Sequence, residues 1–371
     1  MTTVTTGTGH PVITAWSAVS PYGIGRDAYA EGLRERRATV TGLDVESGVT
    51  PDGVGCLVPG FHVRKALGRK GTRSMDRVTG LAVAAAGALL DDAARNRAVG
   101  TGEGAAFVLG TTTGSAQSMM DFTRDSFTSQ EPFFVDPARF PNTVMNCAAG
   151  QSAIWYGLKG PNATIAGGRT AGLHALNYAR RLLGSGRART VLCGAAEEFS
   201  QARAWLEHHS AELEADRGQV PPLGEGCAMF LLEPPGPADP EQPVLAEVRA
   251  VELAVVLDGD PAPALVACLR AALRRAGVEP AEVAAVARCG APGREGAGEA
   301  AAVREVFGGH EVADCTPTAL IGDTGAAAAA FQAAALLSYA ADLPGRPGGR
   351  IGVITSVDRA GSVGCALLGL R

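Results

Sequence analysis

The sequence predicts an α/β protein built as two similar layered halves. Two observations carry that prediction. Short apolar runs alternate with longer helical runs along the whole chain, the pattern of strands layered against helices. The order of these runs then recurs after a proline-rich break, as an internal duplication would leave it. Length and composition agree. A chain of 371 residues suits two ordinary domains or one large two-lobed one, and an apolar fraction of 46% supplies a sizeable core.

The elements follow in order. Residues 11–17 (PVITAWS) read as a strand. Residues 77–94 carry the small and apolar spacing of a helix, with Asp76 placed to cap it. Residues 105–110 (AAFVLG) are a strand, 171–183 a helix, 189–193 (RTVLC) a strand and 226–232 (GCAMFLL) another. Five prolines and a glycine between Pro234 and Pro243 can continue neither a helix nor a central strand. The halves are therefore divided as residues 1–236 and 237–371. In the second half, 263–276 and 283–288 mirror 77–94 and 105–110. Helix 325–337, strand 350–355 and strand 364–370 then mirror the end of the first half. Both closing strands begin Gly-Cys-Ala, at Gly226 and at Gly364.

Charge and cysteine content exclude several classes. A formal net charge of −5 gives no basic stripe for nucleic acid. The most apolar stretch, 324–341, is alanine-rich and holds Gln332 and Ser338, so it predicts a buried helix and not a membrane span. The first ten residues lack a basic n-region and an apolar run, so no secretory leader is predicted. None of the eight cysteines lies in a C-x-x-C pair and most sit in apolar runs, which predicts reduced core thiols in the cytoplasm. Neither a dinucleotide loop nor a metal cluster is spelled out. Gly23–Gly25 and 110–114 are incomplete G-x-G-x-x-G patterns, and the adjacent His208 and His209 do not share a helix face.

Several stretches resemble the β-ketoacyl synthases of fatty-acid and polyketide assembly. Residues 12–25 (VITAWSAVSPYGIG) resemble their first strand and glycine turn, and 69–90 their first long helix. Residues 140–165 (FPNTVMNCAAGQSAIWYGLKGPNATI) resemble the approach to the nucleophile. Residues 224–233 (GEGCAMFLLE) resemble the G-E-G-A-A-x-x-x-L-E signature. The resemblance implies the thiolase-like fold: duplicated halves, each a five-stranded sheet, in an α-β-α-β-α five-layer arrangement. It also implies decarboxylative Claisen condensation. That chemistry needs a cysteine thiolate at a helix N-terminus, two histidines, and backbone amides forming an oxyanion hole.

The motif residues depart from that pattern together. Where active members read T-A-C-x-S-G, residues 167–172 read GGRTAG, with Arg169 at the nucleophile position. Arginine stays protonated and cannot be a nucleophile. Where they read N-A-H-G-T, residues 286–290 read VARCG, with Arg288 at the first histidine. Where they read K-x-x-x-G-H, residues 318–323 read TALIGD, with Thr318 for the lysine and Asp323 for the second histidine. The G-F-G-G loop is 358–361, DRAG. The resemblance thus implies a chain length factor, an inactive ketosynthase-like subunit of a type II polyketide synthase. Such a subunit has no activity alone and forms a heterodimer with an active ketosynthase. It meets acyl chains carried by an acyl carrier protein and uses neither cofactor nor metal. A common form of these subunits carries glutamine where Arg169 stands, linked to decarboxylation of the malonyl primer, and this chain departs from that pattern as well. Two arginines in one pocket need a counter-charge. Arg169, Arg288 and Asp323 are therefore expected to form one buried ion network.

Chain length would be set by side chains lining an acyl tunnel at the dimer interface. The candidates are Met119, Met120, Phe122, Phe127, Phe133 and Phe134, within 111–134, and Phe140. Strand 189–193 is expected at a sheet edge, pairing with its counterpart across the pseudo-twofold. Two other readings stay open. One is an active condensing enzyme or acyltransferase with Cys147 or Cys289 as a relocated nucleophile. The other is a non-catalytic homodimer that binds acyl chains.

Overall fold

The computed structural model describes residues 9–44, 49–94, 102–212, 221–236, 243–257, 259–343 and 350–371. The N-terminal stretch 1–8 and the middle of the proline-rich break, 237–242, lie outside them.

Ten strands and seven helices carry the architecture among the described residues. In the first half, β1 (Val12–Ser20) leads to α1 (Arg77–Ala94) and β2 (Ala105–Thr111). Then come α2 (Ala116–Thr128), α3 (Cys147–Tyr156), β3 (Asn162–Ala166), α4 (Ala171–Gly184), β4 (Thr190–Glu197) and β5 (Gly226–Glu233). The second half runs β6 (Ala246–Val255), α5 (Pro261–Ala276), β7 (Val283–Ala287), α6 (Gly293–Phe307), β8 (Ala313–Asp314), α7 (Ala328–Tyr339), β9 (Arg350–Val357) and β10 (Ser362–Leu370).

The strand orders of the two halves match. The first sheet is ordered β3-β2-β4-β5-β1 and the second β8-β7-β9-β10-β6. In each, the first three strands pair in parallel and the last two pairings are antiparallel, so only the fourth strand runs against the rest. The duplication read from element order is thus present in the topology. The two sheets join where β1 and β6 pair at Val12↔Glu247 and Ile13↔Ala246.

Local chemistry sets the helix ends. Asp76 Oδ1 accepts the Thr79 N–H at 2.9 Å, the cap expected for α1. Ser115 caps α2 by accepting the Ser118 N–H at 3.1 Å. Helix α5 starts at Asp260 with Pro261 in its first turn and ends at the left-handed Gly277.

Helices α4 and α7 form the layer between the sheets and supply much of the central core. They cross closely because their facing residues are small. A Cβ on Gly172 would stand 3.0 Å from the Ala329 Cβ. The buried polar donors of α7 find backbone acceptors within the core, while Gln332 Oε1 is left without a hydrogen-bond partner. Gln332 Nε2 donates to Ala287 O at 2.7 Å and Thr355 O at 2.8 Å, and Ser338 Oγ donates to Ala334 O at 2.7 Å. No described helix is long and apolar enough to cross a membrane. Helices α1 and α3 cover one outer face, and α5 and α6 the other.

One expectation is corrected. The strand containing 189–193 is β4, which lies inside the sheet between β2 and β5. The edge is β3, paired only with β2 among the described residues. The physical reason is the crossover: α4 carries the chain from β3 over β2 to its far side, so the later strand lands inside.

Candidate functional site

The motif positions converge where α4 begins. A short turn, Gly168–Thr170, leads into the helix, and Arg169 sits buried at this start. Its guanidinium Nη2 donates to Asp323 Oδ2, an ion pair whose side chains are 10% and 7% exposed. Asp323 Oδ1 also accepts the Gly325 N–H at 2.9 Å. Burial pushes the Asp323 carboxyl up, but Arg169, the nearby Arg203 and these hydrogen bonds outweigh it and hold it at about 2. Arg203 fixes the Asp323 backbone, donating from Nη2 to its carbonyl at 2.9 Å, and from Nη1 to Gly224 O at 2.7 Å. Two of the three members of the expected network are therefore together.

The third is not. Arg288 turns out of the site and pairs with Asp314 at 2.8 Å on the surface, their side chains 33% and 56% exposed. Just after β7, its neighbour Cys289 is buried and within electrostatic reach of the Arg169 guanidinium. Both residues follow the end of β7 at Ala287, and in this loop Arg288 faces outward and Cys289 inward. A count back from residue 299 assigns Arg288 to the first-histidine position, and the buried side chain here belongs to the next residue, Cys289. Cys289-Gly290 keeps the glycine that follows the histidine in active members, and that is the signal available in the sequence. Thr318, at the lysine position, donates its hydroxyl to Cys289 O at 2.6 Å and props this loop.

Neither thiol named as a relocated nucleophile is activated. Cys289 donates to Glu299 Oε2 at 3.3 Å, and burial together with the Glu299 carboxyl pushes its thiol well up. Cys147 opens α3, yet burial and the Asp76 carboxylate push its thiol up as well. A nucleophilic cysteine needs the opposite shift.

The loop at the G-F-G-G position contributes a residue that the sequence does not single out. Asp358 Oδ2 accepts the Arg169 N–H at 2.8 Å, and Oδ1 accepts the Ala360 N–H at 2.9 Å. Arg359, at the phenylalanine position, leaves the site and pairs with Glu207 at 2.8 Å.

The expected tunnel residues form an exposed apolar surface. Helix α2 packs on the turn Pro137–Thr143, that turn on α3, and α3 on β3. Along this path Phe127 is 85% exposed, Phe133 71% and Ile154 78%; Met119, Met120, Phe134 and Phe140 are exposed too. Phe122 is half-buried and packs its ring against Phe140, with centroids 5.9 Å apart. None of these is a core residue, and the surface they form ends at the open edge of β3. Exposed Ile154, Val144 and Met145 extend it, and nothing in the sequence pattern marks them.

Known proteins place the chain. The family model "Beta-ketoacyl synthase, N-terminal domain" matches residues 11–236. A solved structure of the ishigamide ketosynthase/chain length factor is 47% identical, with a TM-score of 0.89, over 98% of this chain and 99% of that one. The granaticin polyketide β-ketoacyl synthase 2 of Streptomyces violaceoruber is 28% identical over 336 residues, 84% of this chain and 79% of that protein. The 3-oxoacyl-[acyl-carrier-protein] synthase 2 of Vibrio harveyi is 29% identical over 194 residues, and the match spans 48% of this chain and 46% of the relative, about half its length. With the matched fold and the motif positions gathered at the start of α4, the chain belongs to the β-ketoacyl synthase family.

Proposed function

We propose that this chain is a catalytically inactive ketosynthase-like subunit, a chain length factor. It pairs with an active ketosynthase and shapes the tunnel that limits a polyketide or polyene chain delivered by an acyl carrier protein. The observation that carries the reading is the buried Arg169–Asp323 ion pair. It stands where the resemblance assigns a nucleophilic cysteine and a histidine. A permanently protonated guanidinium held by a carboxylate can neither attack a thioester nor relay a proton. The 47% identity to a ketosynthase/chain length factor over nearly the full chain supports the same reading.

The partner surface is the apolar face of α2, α3 and the turn between them, continuing to the edge of β3. An open strand edge beside large exposed aromatics is a liability for a lone chain and suits an obligate dimer. Met119 and Phe122 are the residues on it that would limit chain growth, because each added methylene needs room of its own. We place the division of the halves at residues 236 and 237, between the end of β5 at Glu233 and the start of β6 at Ala246.

The test is co-expression with a type II ketosynthase, native mass spectrometry, and product analysis with a malonyl-loaded carrier protein. The expected result is a one-to-one complex that makes product only when both chains are present, with Met119→Ala lengthening the product. A stable homodimer that condenses acyl groups unaided would overturn the proposal.

A further inference from the structure

The turn between β9 and β10 is latched onto the start of α4 by more than packing. Asp358 Oδ2 accepts the Arg169 N–H at 2.8 Å. Ser356 Oγ donates to Arg169 O at 2.9 Å, and Thr170 Oγ1 donates to Ser362 Oγ at 3.0 Å. The turn is itself closed, with Asp358 N–H on Ser362 O at 2.8 Å and Gly361 N–H on Asp358 O at 2.9 Å. The backbone is shaped to admit the carboxylate. Gly168 has φ +52°, and a Cβ there would stand 2.0 Å from Asp358 Oδ2. Asp358 is 9% exposed, so this is a built, water-poor contact.

A negative oxygen 2.8 Å from a buried backbone amide, here in the turn that leads into α4, is the arrangement that stabilises a developing oxyanion in acyl transfer. We propose that Asp358 is a tethered anion filling that place. The acyl-transfer centre is then closed twice, once by Arg169 at the nucleophile position and once by Asp358 on the amide. This rests on the reading of Arg169 as the nucleophile position. It adds that restoring a cysteine there does not restore acylation. The amide remains occupied, and the carboxylate beside the new thiol disfavours its thiolate.

The test compares Arg169→Cys/Asp323→Asn, which leaves no unpaired carboxylate at 323, with the same pair plus Asp358→Ala. Both are purified with the partner ketosynthase. The probe is an octanoyl thioester of N-acetylcysteamine. Acylation joins the acyl carbon to the sulfur introduced by Arg169→Cys, breaks the probe's C–S bond, and passes the thiol proton to the departing thiolate. Intact mass reads the product, and iodoacetamide alkylation against pH reads the thiolate. The expected result is acylation about a hundredfold faster once Asp358 is removed, with the alkylation midpoint lower by about one pH unit. Equal rates and midpoints would overturn the proposal and leave the inactive-subunit reading standing. Acylation of the unaltered chain would overturn that reading, and the proposal with it. Where the triple variant does not fold, Asp358→Ala alone is compared with the unaltered chain by hydrogen exchange. Exchange at the Arg169 amide about tenfold faster supports the proposal, and unchanged protection overturns it.

Discussion

At the scale of single residues, two arginines that look alike in sequence have opposite weight. Arg169 is buried against one carboxylate, so removing either partner leaves an uncompensated charge. Asp323→Asn is expected to cost about 3–5 kcal/mol at neutral pH by urea unfolding. Replacing both partners with apolar residues should recover most of that loss. The pH dependence follows from the depressed carboxyl. Asp323 is held at about 2, below its value in an unfolded chain, so its stabilisation is present above about pH 4 and is lost as pH falls towards 2. The gap between the unaltered chain and Asp323→Asn should therefore narrow by about 2 kcal/mol across that window. Arg288 pairs with Asp314 at the partly exposed surface, and Arg288→Ala should change stability by less than about 1 kcal/mol. The sequence shows that the chemistry is missing at these positions. It does not show what replaces it, because the path of the loop after β7 decides which side chain points inward, and a motif count cannot resolve that path.

At the scale of elements, most strands and helices are legible in the sequence and their neighbours are not. Periodicity and caps locate α1, α4, α5 and α7 closely, since Asp76, small-residue spacing and flanking glycines act locally. The position of β4 inside its sheet depends on where α4 carries the chain, a long-range outcome that local pattern does not encode. Strand β3 is short and half-exposed, and its pattern does not stand out. The α4–α7 crossing gives a sharp prediction. Gly172→Val would drive a branched side chain into Ala329, and should cost about 1–3 kcal/mol or more, read as a lower melting temperature. On the outer face, Phe127→Glu and Ile154→Glu replace exposed apolar groups. They should leave the monomer's circular dichroism and melting unchanged while abolishing the one-to-one complex in native mass spectrometry.

At the scale of the whole molecule, the two halves repeat one topology and meet through α4, α7 and the short β1–β6 junction. The repeat is readable because element order survives where residue identity does not. Only Gly-Cys-Ala marks both closing strands, at Gly226 and Gly364, yet β5 and β10 hold the same place in their sheets. That shared place has a consequence for how the protein is made. Strand β10 lies between β9 and β6, so the second sheet is held together by a strand synthesised after all its neighbours in that sheet. Likewise β1 waits for β5, paired at Val12↔Glu233, more than half a chain later. A nascent polypeptide stopped before residue 362 cannot join β9 to β6, and displays those two unsatisfied strand edges to the cell's chaperones and proteases. Chains cut before residue 362 should therefore be cleared faster than chains that contain β10, which a pulse-chase measurement would read.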